Sequence, residues 1–250
     1  MDNGLTYKFK RPNPSLVDFV DRFSFLQNLS SFKDGIIIPN GRIDLLFYKT
    51  ADDQFHITLM GLETKAKQMP EQEIPAFFAI SFNPIAIEYV LHQSVAGFVN
   101  SGKHLPNNFW NFSIADLNNF EAFCEKATSK ILSLLPEEID ERKRKLFELI
   151  FLANGEINVK ELSDQVNWSE RQINRYFNHQ LGISLKVYCN ILRFQASLSH
   201  IKNGYLYPQL NFTDQSHFIK EIKKLSGVSP KELFKNQNDR FLQFLVTDPE

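Results

Sequence analysis

The sequence predicts an α+β protein of two domains. A β-rich, barrel-like N-terminal domain with connecting helices precedes an all-α C-terminal domain, in which a helix-turn-helix recurs in part. Three observations carry this expectation. Short apolar runs broken by turn residues fill positions 16–100, whereas from about 114 apolar residues recur every three or four positions, a change from strand to helix period. The 250 residues are 43% hydrophobic and 23% charged, which suits ordinary globular packing in two domains and excludes a disordered or fibrous chain. The net charge of −1 hides an asymmetry: 1–140 carry 12 Lys and Arg against 17 Asp and Glu, 141–240 carry 16 against 10, and the last ten residues add two acids. A basic half joined to an acidic half is what a nucleic-acid-binding module fused to another domain looks like.

In the N-terminal domain, Ile36 to Ile38 runs into Pro39-Asn40-Gly41, and Ile43 to Tyr48 follows. Asn-Gly between two β-favouring runs predicts a hairpin. Phe55 to Met60 and Ala76 to Phe82 read as further strands, with Pro84, Gly97 and Gly102 as breaks, so a small barrel or sandwich is expected to about 112. The 24 phenylalanines against 10 glycines predict a well-filled core rather than a Gly-rich phosphate cradle. Leu117, Phe120, Cys124, Ala127, Ile131 and Leu134 then form one helical stripe, which fits either packing on its own domain or a seam with a second chain. Pro136 and the charged run Glu137 to Lys145 mark a boundary, giving domains 1–140 and 141–250.

The C-terminal signals are sharper. Asn158 reads as the N-cap of a helix carrying Val159, Leu162 and Val166, and Asn167-Trp168 interrupts it. Ser169 with Gln172 three residues on is a capping box, opening a helix with Ile173, Phe177 and Leu181 inward and Gly182 as its stop. Two short helices joined by about three residues form a helix-turn-helix. The outward face of the second carries Arg171, Asn174, Arg175 and Asn178, groups that donate to base edges and phosphates. Ser184 starts a long helix to about Asn203. Thr213 or Asp214 then caps a helix with Phe218, Ile222 and Leu225 inward and Gln215, Ser216, His217, Lys220, Lys223 and Lys224 outward. It stops at Gly227, and Ser229-Pro230 opens another helix.

Enzymatic readings find little support. None of the six histidines pairs at H-x-H or H-x-x-x-H spacing, so a metal site lacks its ligands, and no nucleophile elbow, dinucleotide fingerprint or P-loop occurs. No catalytic residue, cofactor or metal is expected. Cys124 and Cys189, 65 positions apart, read as free thiols in a reducing compartment. The N-terminus lacks the apolar segment of a signal peptide, and no apolar run nears the roughly 18 residues of a membrane span, so a cytoplasmic protein without a membrane partner is expected.

The stretch SERQINRYFNHQLGISLKVYCNILRFQASL, 169–198, resembles the first recognition helix and linker helix of the AraC/XylS family of bacterial transcription regulators, through Ser169, Arg171, Arg175, Phe177, Gly182, Tyr188, Arg193 and Ala196. The stretch FTDQSHFIKEIKKLSGVSPKEL, 212–233, is similar to that family's signature around its second recognition helix, through Phe212, Asp214, Ser216, Phe218, Gly227, Ser229, Pro230 and Glu232. The resemblance implies a double helix-turn-helix that inserts two helices into successive major grooves of double-stranded DNA, and contact with the transcription machinery. It departs at 204–211, where Gly204 and Pro208 leave room for only a turn or so of the helix that usually precedes the second recognition helix. The N-terminal half also looks like the β-rich domains that precede such modules, through Pro39 to Phe47 and Phe82-Asn83-Pro84; these imply a small-molecule effector or a homodimer. If Ile43 lies in a strand, Arg42 and Asp44 point to one side as a polar effector contact or as a surface ion pair. The alternative class is a protein-interaction adaptor with a degenerate helix-turn-helix.

Overall fold

The structure is a computed structural model that describes residues 6–27, 35–68, 75–236 and 241. The first five residues and the acidic tail 242–250, which entered the terminus and charge readings, lie outside the described residues. The chain forms two compact units. Unit 1 comprises the described residues of Met1–Lys33, Arg42–Leu62 and Pro70–Asp140; unit 2 comprises those of Asp34–Gly41, Glu63–Met69 and Glu141–Glu250.

Unit 1 is built on an antiparallel six-stranded sheet of β1 (Thr6–Lys10), β2 (Val20–Gln27), β4 (Ile43–Lys49), β5 (Phe55–Met60), β7 (Ala76–Phe82) and β8 (Gly102–Leu105). Its order is β1-β2-β7-β4-β5-β8, so the expected barrel is replaced by an open sheet with β1 and β8 as edges. The edges are blunted in the usual ways, since β1 carries Lys8 and Lys10 and β8 is only four residues long. A short helix, α1 (Ala86–Tyr89), follows β7.

Closure is not needed because a helix covers the apolar face. Register places Phe25, Phe78 and Phe47 side by side on β2, β7 and β4. Helix α2 (Phe120–Leu132), capped by Asn119, lays Phe123 5.0 Å from the Phe78 ring and 5.1 Å from Phe47, and Phe120 5.7 Å from Phe78. Such edge-to-face contacts add to the burial of large rings. Of the expected stripe, Phe120, Cys124, Ala127 and Ile131 lie on α2 and serve its own sheet. Leu117 sits in a separate 3-10 turn broken off at the extended Asn119, and Leu134 lies beyond the helix end. Cys124, Ala127 and Ile131 are buried within one chain, and burial pushes the Cys124 thiol up to about 12.

Unit 2 holds α3 (Glu141–Leu152), α4 (Val159–Val166), α5 (Glu170–Leu181), α6 (Leu185–Lys202), α7 (Gln215–Ser226) and α8 (Pro230–Lys235), with a two-stranded ribbon of β3 (Ile36–Ile37) and β6 (Lys67–Gln68). The hairpin expected at Pro39-Asn40-Gly41 does not form. β3 pairs with β6, whereas β4 pairs with β5 and β7. Gly41 serves a close approach to α6 instead: its φ is +73°, and a Cβ there would lie 3.1 Å from Leu192 Cδ2. The wholly buried Tyr188 donates its hydroxyl to Gly41 O at 3.1 Å, and Gln195 donates to Pro39 O. No helix among the described residues is long and apolar enough to cross a membrane.

Candidate nucleic-acid interface

Helix α4 begins at Asn158, whose Oδ1 accepts from Glu161 N, and ends at Asn167 in the left-handed region, φ +54°. Two residues later Ser169 caps α5 in a reciprocal box with Gln172. Ile173, Phe177 and Leu181 bury one side of α5, and Phe177 meets Phe147 at 5.8 Å and Tyr188 at 5.5 Å between ring centroids. Gly182, φ +73°, ends the helix. The inward anchoring fixes what faces out.

On that outer face Arg171 and Arg175 are exposed and have no hydrogen-bond or ion-pair partner among the described residues. Asn174 and Asn178 differ. Their Nδ2 groups donate to Glu170 O at 3.1 Å and Asn174 O at 2.8 Å, so both amides fold back on their own helix. Bidentate reading of adenine needs the amide donor as well as its oxygen, so each Asn must turn before it can read a base that way.

From α5 the chain passes into α6, capped by Ser184 and about 27 Å long at 1.5 Å per residue. Residues 203–214 hold no helix, so the second helix-turn-helix lacks its first member rather than keeping a shortened one. This loop is pinned from several sides. Arg193, missed by the sequence reading as a support, donates to Asn211 O at 2.9 Å and Gly155 O at 3.2 Å and lies over the Phe212 ring. Gln215 donates to Leu206 O at 2.9 Å.

Asp214, not Thr213, caps α7 by accepting from His217 N at 2.8 Å. Phe218, Ile222 and Leu225 point inward. Of the six outward candidates, Gln215, Ser216, Lys220, Lys223 and Lys224 are exposed, with Lys224 Nζ 3.7 Å from Glu221. His217 is half-buried: its Nδ1 accepts from Thr213 N at 3.3 Å and its ring meets Phe212. Gln215 and His217 thus shape the start of α7.

In unit 1, Arg42 and Asp44 join a partly buried polar cluster rather than one outward-facing pair. Asp21 accepts from Arg42 at 3.1 Å and from Arg22 at 2.7 Å, and Ser81 donates to Asp44 at 2.5 Å. The sequence offered no signal for Asp21, Arg22 or Ser81, which sit on other strands. Burial opposes ionisation of Asp21, but the Arg42 and Arg22 guanidiniums outweigh it and hold its carboxyl below the usual range. Burial raises Asp44, against the Ser81 hydrogen bond.

A raised folded pKa means that the folded unit binds the Asp44 proton more tightly than the unfolded chain. Stability is then lost as pH rises from the ordinary carboxylate value through the raised one. Asp44→Asn is therefore expected to gain stability over the wild type between about pH 4 and about pH 7. Urea midpoints at the two pH values, followed by Trp110 fluorescence, measure it. A constant difference between variant and wild type would contradict the assignment.

No protein-family model matches the chain, and no curated protein matches it. Among solved structures, ToxT from Vibrio cholerae O395 aligns over 94% of this chain and 98% of its own, at 12% identity and a TM-score of 0.41. ToxT from strain SCE256 with bound unsaturated fatty acid aligns over 92% and 94%, at 11% identity and 0.41. ToxT from O395 bound to (E)-4-(8-methylnaphthalen-1-yl)but-3-enoic acid aligns over 92% and 97%, at 15% and 0.40.

Proposed function

We propose that this chain is a sequence-specific, non-enzymatic regulator of transcription that binds double-stranded DNA through unit 2. The observation that carries the reading is α5: a helix capped at both ends and anchored by Ile173, Phe177 and Leu181, with unpaired Arg171 and Arg175 on the opposite side. A second helix of a helix-turn-helix enters the major groove with its N-terminal turns against base edges. Arg171 and Arg175 suit bidentate contact with guanine, and Asn174 and Asn178 reach the same groove once their amides turn outward. Helix α7, at the other end of α6, enters the next major groove, roughly 34 Å along the duplex. There Ser216 and Lys220 meet the duplex, Lys223 and Lys224 hold phosphates, and Gln215 and His217 keep the start of the helix in shape. Unit 1 then serves as the regulatory half, taking a small-molecule effector beside the Arg42 and Asp44 cluster or joining a second copy, and the bound chain contacts the transcription machinery.

Selection of duplexes from a random library with the full chain tests this directly. On the selected duplex, Arg175→Ala is expected to cost roughly 1–3 kcal/mol and to relax preference at one base pair, while Lys224→Ala weakens all sequences alike. Equal effects of both variants on selected and mixed-sequence duplexes would overturn the division of roles, and failure to enrich any sequence would overturn sequence-specific binding.

A further inference from the structure

Residues 203–214, which join α6 to α7, stand where a second helix-turn-helix would have its first helix. Both ends of this loop are held. Tyr205 N donates to His200 O at 2.9 Å, Asn211 N donates to Glu156, and Arg193 donates to Asn211 O at 2.9 Å. Its middle is tied to the recognition helix itself, since Gln215, the first residue of α7, donates to Leu206 O at 2.9 Å. On either side of Leu206 the loop exposes an aromatic side chain, with Tyr205 45% and Tyr207 55% exposed. The two rings meet edge to face at 6.1 Å, and Tyr205 also meets His200 at 6.5 Å. Neither hydroxyl has a hydrogen-bond partner among the described residues. Ordering a loop costs chain entropy, and here that cost fixes two tyrosines in solvent.

We propose that Tyr205 and Tyr207 hold the sugar-phosphate backbone beside the groove entered by α7, replacing with two neutral donors the contact that a first helix makes. The inference rests on the duplex-DNA reading above and adds a contact from outside both recognition helices. In a helix-turn-helix the first helix crosses the DNA backbone while the second enters the groove. Here the loop takes that place and is bonded to the first turn of α7, the turn that meets the bases. Gln215 is one position, about 100° of helical rotation, from Ser216, so the tether lies on a flank of α7 that borders its outward face. A major groove about 12 Å wide puts the backbone against the flanks of an inserted helix. Tyrosine hydroxyls are among the ordinary donors to phosphate oxygens. The surrounding charge favours a polyanion over a protein partner. Residues 203–235 carry five lysines against Asp214, Glu221 and Glu232. All three acids are engaged: Asp214 caps α7, Glu221 accepts from Asn190, and Glu232 completes the capping box of α8.

Binding of the full chain to a selected duplex and to mixed-sequence duplex DNA, each over a range of salt, tests the contact. The double variant Tyr205→Phe, Tyr207→Phe keeps both rings and loses both donors. It is expected to bind both duplexes about tenfold more weakly, because hydrogen bonds to charged groups are the stronger kind and phosphate contacts carry no sequence information. The slope of log affinity against log salt should keep its wild-type value, since no cation is lost, whereas Lys223→Gln should make it shallower by about 0.9. Wild-type affinity in the double variant would overturn the contact while leaving DNA binding intact. A loss confined to the selected duplex would overturn it in favour of base reading, and a loss accompanied by a lowered melting temperature would reassign the hydroxyls to holding the loop. Unchanged affinity with a halved mass by light scattering would overturn it too, giving the pair to a second copy of the chain. A wild-type chain that binds neither duplex would overturn the duplex-DNA reading beneath it.

Discussion

Gly41→Val is expected to destabilise the helical unit by about 2–5 kcal/mol, although position 41 precedes its first helix by a hundred residues. Two costs add. A side chain in the left-handed region costs about 1–2 kcal/mol, and Gly41 has φ +73°. Overpacking costs about 1–3 kcal/mol, and even a bare Cβ would lie 3.1 Å from Leu192 and 3.5 Å from Tyr188 on α6. Displacing this backbone also threatens the hydrogen bond from the buried Tyr188 hydroxyl to Gly41 O. Gly97→Val is the control, because a Cβ there meets nothing within 4 Å. Each chain is unfolded in urea and followed by Trp168 fluorescence in a Trp110→Phe background. A Gly41→Val midpoint equal to that of the control would show that the ribbon does not contribute to the helical unit.

That dependence was hidden in the sequence for a physical reason. Asn-Gly after an isoleucine run is a local signal, and it identifies a position that tolerates positive φ. It does not say whether that freedom serves a two-residue turn or a close approach to a distant helix. The same limit explains the sheet. Strands at 43–49, 55–60 and 76–82 were legible from their apolar runs, but whether the sheet closes depends on what covers Phe25, Phe47 and Phe78, and α2 does so from forty residues further on. By contrast the helices of unit 2 were legible in detail. Ser169, Ser184 and Ser229 each cap the helix they precede, and Gly182 and Gly227 each end one in the left-handed region, because caps are written within four residues of chain. Arg171 and Arg175 follow once the buried stripe of α5 is known. The fold-back of Asn174 and Asn178, the pinning of Gln215 and the stacking of Arg142 on Trp168 are side-chain choices with no such local signature.

The stripe on α2 gives the sharpest contrast between its two uses. If Ile131 served a seam between two chains, Ile131→Asp would leave a folded monomer. In the structure Ile131 has no exposed surface within a single chain, and neither does Phe123 beside it. Removing the buried side chain alone costs about 2–5 kcal/mol. The carboxylate must in addition be desolvated or protonated in an apolar core, which costs several kcal/mol more. Together these approach the whole stability of an ordinary domain, about 5–15 kcal/mol. Ile131→Asp is therefore expected to unfold unit 1 at 25 °C, read as a collapse of the Trp110 signal and of its urea transition. Leu132→Asp, the next residue on α2 and 42% exposed, should stay within about 0.5 kcal/mol of the wild type. Light scattering on the same samples completes the comparison: an Ile131→Asp chain that keeps its urea transition while halving its mass would restore the two-chain seam, whereas loss of the transition assigns the stripe to the core of its own sheet.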